Sequence, residues 1–249
     1  MSNFILDEKN IDINITEQDF IDLEESPTFI INKDSNHQKV FYIKTGNFLK
    51  HEKIQDELLL INNLVPYDIY INMVLFFREF SLKNNIDFMN YEYEFRIQAD
   101  YINHDKYFMP AEMHCDVCNY TVALPLTETG SVDRYSILLG EKNKKLPQKS
   151  NGPFLPEEFP VMEEVKYKKN NAIIFKNRDK NIVKNYHQAS LCKALKKGIV
   201  RQQAILFCKN KSTTIFNSEN NYYFNPLKPN DTVIINNKQH YWVYDDKKI

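Results

Sequence analysis

Pro110-Ala111-Glu112-Met113-His114-Cys115-Asp116, followed by Asn119-Tyr120-Thr121-Val122-Ala123-Leu124, is the stretch whose reading decides the fold. An extended strand turns residues i and i+2 to one side, so a His-x-Asp step aims an imidazole and a carboxylate at a common point. A second histidine from another strand completes a 2-His-1-carboxylate set, which holds Fe(II) on one side and leaves the remaining positions open. His187, in Asn185-Tyr186-His187-Gln188, is the available partner, and Arg201 follows 14 residues later in the strand-like run 199–207. A lone His-x-Asp step arises by chance in many chains. The order His, Asp, His, Arg on strand-like segments is what gives this one weight.

Outward from that stretch the pattern is mainly β. Tyr91, Tyr93, Phe95, Ile97, Ala99 and Tyr101 alternate with Glu92, Glu94, Arg96, Gln98 and Asp100, which predicts a strand over 86–103. Its polar face looks either to solvent, as in an ordinary sandwich, or into a ligand pocket, as in a barrel-like jelly roll. Residues 121–126, 135–139 and 171–175 predict further strands, and 27–31 and 40–43 two short ones. Ile5, Ile11, Ile13 and Ile15 alternate with polar residues and suit an edge strand. From Asn47 to Ile61 the apolar spacing turns helical, and Pro66 suits the first turn of a second helix ending near Lys83, with Asn84-Asn85 as its stop. Tyr70, Met73, Val74, Phe77 and Phe80 share one side of it, the side expected to brace a sheet. Residues 141–160 carry Pro147, Gly152, Pro153, Pro156 and Pro160 among lysines, a long loop of the kind that serves as a lid. A C-terminal β extension, 209–249, is expected to hold a hairpin of 232–235 with 241–244, either as an extra sheet edge or as part of a homodimer contact.

Composition fits one domain spanning residues 1–249, with 43% apolar and 13% aromatic residues supplying a real core. A formal charge of −1 gives no global field for nucleic acid or a membrane surface, and no apolar run approaches a membrane span. The lysine runs near 142–149, 166–169 and 193–197 read as solvated faces. The N-terminal ten residues mix Asp7, Glu8 and Lys9 among apolar ones, so no secretory signal is expected and a cytoplasmic home is. Cys115-x-x-Cys118 invites a zinc reading, but Cys192 and Cys208 form no second paired knuckle, so reduced, partly buried thiols are expected.

The arrangement resembles the 2-oxoglutarate/Fe(II)-dependent oxygenases, and within them the bacterial free-amino-acid dioxygenases of the isoleucine-hydroxylase kind. The residues that carry the resemblance are Glu94-Phe95-Arg96-Ile97-Gln98-Ala99, the 110–116 stretch with Tyr120, Arg178-Asp179 ahead of His187, and Arg201. Val117 stands where that subfamily usually has Gly, and Val132-Asp133-Arg134 where it usually has a Gly-Gly pair. The resemblance implies a double-stranded β-helix (a jelly-roll or cupin-like barrel) braced by N-terminal helices. It implies Fe(II) held by His114, Asp116 and His187, with Arg201 clamping the far carboxylate of 2-oxoglutarate. O2 takes the last position, and a C–H bond of a small substrate, by resemblance a free L-amino acid, is hydroxylated as succinate and CO2 leave. Arg96, Gln98 and Tyr107 are the expected substrate contacts, and Tyr107 and Asn119 are expected to orient ligands. The alternatives are the same chemistry on a peptide or nucleotide, a cupin-type metal enzyme, or a vestigial binding module. A cupin usually brings a His-x-His pair, which this chain lacks.

Overall fold

The computed structural model describes residues 3–13, 29–34, 38–43, 49–50, 65–101, 114–141, 159–179, 182–190, 192–196, 200–212, 232–235 and 238–241. The chain runs β1 (Ile5–Asn10), β2 (Phe29–Asp34), β3 (Gln38–Ile43), β4 (Leu49–Lys50), helix α1 (Val65–Lys83), a 3-10 turn (Phe88–Asn90) and β5 (Tyr91–Tyr101). There follow β6 (Tyr120–Pro125), β7 (Ser136–Glu141), β8 (Val161–Lys166), β9 (Asn171–Lys176), β10 (Arg178–Asp179) and β11 (Ile182–Val183). β12 (Tyr186–Ala189), β13 (Val200–Asn210), β14 (Thr232–Ile235) and β15 (Lys238–Tyr241) complete the order. The main antiparallel sheet is ordered β1-β9-β6-β13-β5-β3-β2, with β4 also on β5, and a smaller sheet is ordered β12-β7-β8.

Alternation along the central strands explains the layers. Tyr93, Phe95 and Ile97 of β5, Val122 and Leu124 of β6, and Ala204, Leu206 and Cys208 of β13 turn to one face of the main sheet. There they bury Ile69, Tyr70, Met73, Phe77 and Phe80 of α1, whose spacing puts these side chains on one stripe. The intervening residues turn the other way. Ala123, Ile173 and Phe175 meet Ile137 and Leu139 of the small sheet in a second core. The result is a helix laid on one face of a two-sheet antiparallel jelly roll, the mainly β class expected from sequence.

α1 stops as its sequence predicts. Asn85 takes the left-handed conformation (φ 54°), and the Ile86 N–H donates to the Ser81 carbonyl at 2.8 Å. That six-to-one bond satisfies a carbonyl the helix would otherwise leave open.

Several points of the sequence analysis need correction or fall outside the described residues. Leu49–Lys50 pairs with Tyr93 and Glu92 as a strand, so the helical reading fails at 49–50, and the rest of 47–61 lies outside the described residues. Residues 115–119 leave the ladder: only His114 forms a bridge, and a bend over 117–119 returns the chain into β6. β8 has no counterpart in the sequence reading. The C-terminal hairpin pairs Ile235 with Lys238, so its second strand begins three residues earlier than expected. Of the expected lid, 142–158 lie outside the described residues. No helix among the described residues is long and apolar enough to cross a membrane.

Candidate metal centre

His114 and His187 are set side by side by the backbone. Each N–H donates to the other's carbonyl, at 2.9 and 2.8 Å, in an isolated antiparallel bridge. The two rings consequently sit 4.2 Å apart, tilted by 56°. β12 carries His187 on the small sheet, opposite Leu139 of β7. Asp116 lies at the start of the bend into β6, and its main-chain carbonyl accepts from Arg178 Nε at 3.0 Å. That side-chain bond takes the place of a ladder bond and explains why the His-Cys-Asp stretch is not a regular strand.

The donor atoms converge. Asp116 Oδ1 is 3.5 Å from His114 Nε2, and Oδ2 is 3.4 Å from His187 Nε2. One ligand atom from each residue lies within 4.8 Å of the other two. Two donors each about 2.0–2.2 Å from a common ion stand about this far apart. Among the described residues this is the sole cluster of three such side chains. Its protonation suits a metal. Burial alone would raise the Asp116 carboxyl, but the two imidazoles and Arg96 outweigh it and hold the group well below the usual carboxylate range. Burial pushes His187 down to about 3, against the opposing pull of Asp116. An ionised carboxylate and a neutral imidazole are the forms that bind metal.

Cys115 turns away from this point, its Sγ lying 3.7 Å from the Asn177 carbonyl. Burial pushes its thiol up to about 12. All four cysteines are free and buried, more deeply than the sequence suggested. None is a member of the metal-binding cluster.

The cluster forms one wall of a cavity of about 90 Å³. A single water needs only about 10–15 Å³ by this measure, so the space accepts a ligand of several non-hydrogen atoms. Arg96, Gln98, Arg201 and Gln203 also line it, as do Ile205 and Phe207. The polar face of β5 therefore looks into the pocket, and the alternation of β13 puts its Arg201 face there too. Arg201 is 2% exposed, with Nη2 3.3 Å from Gln203 Oε1. Its guanidinium lies 5.6 Å from the Tyr135 ring and 5.9 Å from that of Tyr167. Arg96 donates through Nε to Glu94 Oε1 at 2.5 Å and lies 4.2 Å over the Phe207 ring. Tyr107 is outside the described residues. Asn119, expected to orient ligands, instead ties strands together: its Oδ1 accepts from Asn210 N at 2.8 Å and its carbonyl from Asn177 N.

Sequence reasoning did not single out Thr121 and Tyr167, which line the cavity, or Tyr135 and Asn177, which contact Arg201 and Thr121. Thr121 lies on the same side of β6 as Ala123, and both line the cavity.

No protein-family model and no curated protein sequence matches the chain. Solved structures that it resembles include IDO from Bacillus thuringiensis, at 13% identity over 61% of this chain and 60% of that one, TM-score 0.43. The chain thus spans about 60% of that protein's length. AtDAO1, the Arabidopsis thaliana dioxygenase for auxin oxidation in its 2-oxoglutarate complex, shares 11% identity over 80% and 79% of the two chains, TM-score 0.48. The viral collagen prolyl hydroxylase of Paramecium bursaria Chlorella virus-1, also a 2-oxoglutarate complex, shares 12% over 82% and 95%, TM-score 0.41. Likeness this distant transfers neither activity nor substrate, so function rests on the site itself.

Proposed function

We propose that the chain is an Fe(II)- and 2-oxoglutarate-dependent dioxygenase that hydroxylates a C–H bond of a small carboxylate-bearing substrate, with a free L-amino acid as the favoured class. One observation carries the reading: two histidine nitrogens and an aspartate carboxylate converge on a cavity wall, and a buried arginine lines the same cavity. The donor set fits a divalent first-row metal with open positions. His114, Asp116 and His187 would hold it. When bound, Fe(II) supplies the chemistry that couples oxidative decarboxylation of 2-oxoglutarate, to succinate and CO2, with transfer of one atom of O2 into a substrate C–H bond.

The chain's own side chains bind and orient. Arg201 takes the far carboxylate of 2-oxoglutarate, because the planar fork of a guanidinium matches two carboxylate oxygens by parallel hydrogen bonds. Tyr135 and Tyr167 hold that fork in place through their ring faces. Arg96 takes the substrate's carboxylate. Glu94 on one side and the Phe207 ring on the other fix its orientation. Gln98 and Gln203 offer amide donors and acceptors to the polar groups of the bound molecules. Ile137, Phe175 and Ile205 line the remaining wall and keep water from the reacting carbon.

The test is an anaerobic titration of the apoprotein with Fe(II) and then 2-oxoglutarate, followed in visible light, and a succinate-release screen over the free amino acids. A metal-dependent visible band and amino-acid-dependent succinate are expected. Absence of the band refutes the cosubstrate assignment. Succinate release that depends on a peptide or a nucleotide, with all amino acids silent, replaces the substrate class.

A further inference from the structure

Asp116 is held by more than its two histidine neighbours. Thr121 Oγ1 donates to Asp116 Oδ2 at 2.9 Å, and Asn177 Nδ2 donates to Thr121 Oγ1 at 2.7 Å. Asn177 is fully buried, and Thr121 is 2% exposed. The polarity of this chain of bonds is one-way. An amide nitrogen only donates, so it occupies a lone pair of the Thr121 hydroxyl. The hydroxyl has one proton left to give, and an ionised carboxylate only accepts. Cys118 Sγ also lies 3.5 Å from this hydroxyl, but the carboxylate oxygen at 2.9 Å is nearer and the stronger acceptor, so the proton goes to Asp116 Oδ2. Asn177 in turn is fixed from both sides, its backbone N–H donating to the Asn119 carbonyl at 2.8 Å and its Nδ2 also reaching Cys118 Sγ at 3.2 Å.

We infer that Thr121, oriented by Asn177, is a positioning residue that commits one oxygen of Asp116 to a protein hydrogen bond and so keeps this carboxylate a one-oxygen metal ligand. The inference rests on the metal-site reading above and deepens it. A carboxylate that swings to offer both oxygens occupies two coordination positions. One tied back to Thr121 occupies one, and the position saved is available to cosubstrate or oxygen. Partners that orient a metal's ligands typically contribute about 10–100-fold in metal affinity. Thr121 is suited to this by its place on β6, a central strand of the main sheet, where it lies opposite Phe207 of β13 and Phe175 of β9.

The test compares the full chain with its Thr121→Val, Thr121→Ser, Asn177→Leu and doubly substituted Thr121→Val/Asn177→Leu variants. Each is titrated anaerobically with Co(II), reading affinity and the ligand-field spectrum, and its metal-free thermal midpoint is recorded. Thr121→Val is expected to bind Co(II) about 10–100-fold more weakly, with a changed spectrum at a metal-free midpoint close to wild type. Thr121→Ser is expected to retain wild-type affinity. Asn177→Leu is expected to weaken binding alone but to add nothing to Thr121→Val, because it acts through the hydroxyl. If Thr121→Val does not fold, Thr121→Ala carries the same expectation. Wild-type affinity and spectrum in the Val or Ala variant overturn the inference, as do additive effects in the double variant. A wild-type chain that binds no Co(II) overturns the metal-site reading itself, and the inference with it.

Discussion

Removing Arg201 is the sharpest perturbation of the proposed cosubstrate site. Its guanidinium is buried beside the paired rings of Tyr135 and Tyr167, so a carboxylate bound to it is taken out of water along with it. Deleting one partner of such a pair strands the other charge and costs about 3–5 kcal/mol. At about 1.4 kcal/mol per decade, Arg201→Ala should weaken 2-oxoglutarate binding by roughly two to three and a half decades. Arg201→Lys should recover only part of this, since an ammonium supplies the charge without the planar fork. The assay is the visible band of the anaerobic Fe(II)–2-oxoglutarate complex, titrated with cosubstrate, beside a titration with metal alone. Metal affinity should stay within about twofold of wild type, because Arg201 takes no part in the metal cluster. Arg96→Ala should leave the band intact and lower substrate-dependent succinate release. Unchanged 2-oxoglutarate affinity in Arg201→Ala refutes the cosubstrate assignment, and loss of the band in Arg96→Ala means the two arginines have exchanged roles.

Other outcomes follow from the same geometry. Ala at His114, Asp116 or His187 should abolish stoichiometric iron binding and succinate production, and normal iron content in His187→Ala removes it from the ligand set. All four thiols are buried, and burial raises those of Cys115, Cys118 and Cys208, so a chromogenic disulfide reagent should find no fast-reacting thiol before denaturant is added. One rapid equivalent in the native protein contradicts the packing. Phe77 is fully buried with its ring against Phe80, Phe88, Tyr91, Tyr93 and Tyr120. Phe77→Ala should cost about 3–5 kcal/mol in urea unfolding, and a loss under about 1 kcal/mol would mean that α1 is not docked on the sheet as described.

How much was legible in the chain depended on whether the signal was periodic. β5 and β13 carry long alternations because each has one face under α1 and the other in the pocket, and α1 shows its buried stripe for the same reason. β8 escaped notice because Glu163 and Glu164 interrupt its apolar residues. The fold accounts for both charges: Arg134 pairs with Glu164 through two nitrogens, at 2.8 and 2.9 Å, and Asn3 N donates to Glu163. The three metal-ligand candidates stood out by type and order. Thr121 and Asn177 did not, since their bond joins residues 56 apart and neither has a local pattern that announces a partner. The expectation of a strand through Cys115 and Asp116 failed on one side chain, because Arg178 takes the carbonyl that a neighbouring strand would have used.

The bridge between His114 and His187 has a mechanical consequence. His187 belongs to the small sheet, while His114 and Asp116 lead directly into β6 of the main sheet. An ion shared by the three is therefore a rivet through both layers, set at the seam where they part. Prising the layers apart would stretch metal–ligand bonds as well as two backbone hydrogen bonds, and part of the ion's binding free energy becomes resistance to opening. The same rivet runs in reverse: whatever spreads the seam loosens the ion. Binding of an ion at the three and closure of the two layers would then be linked, each favouring the other.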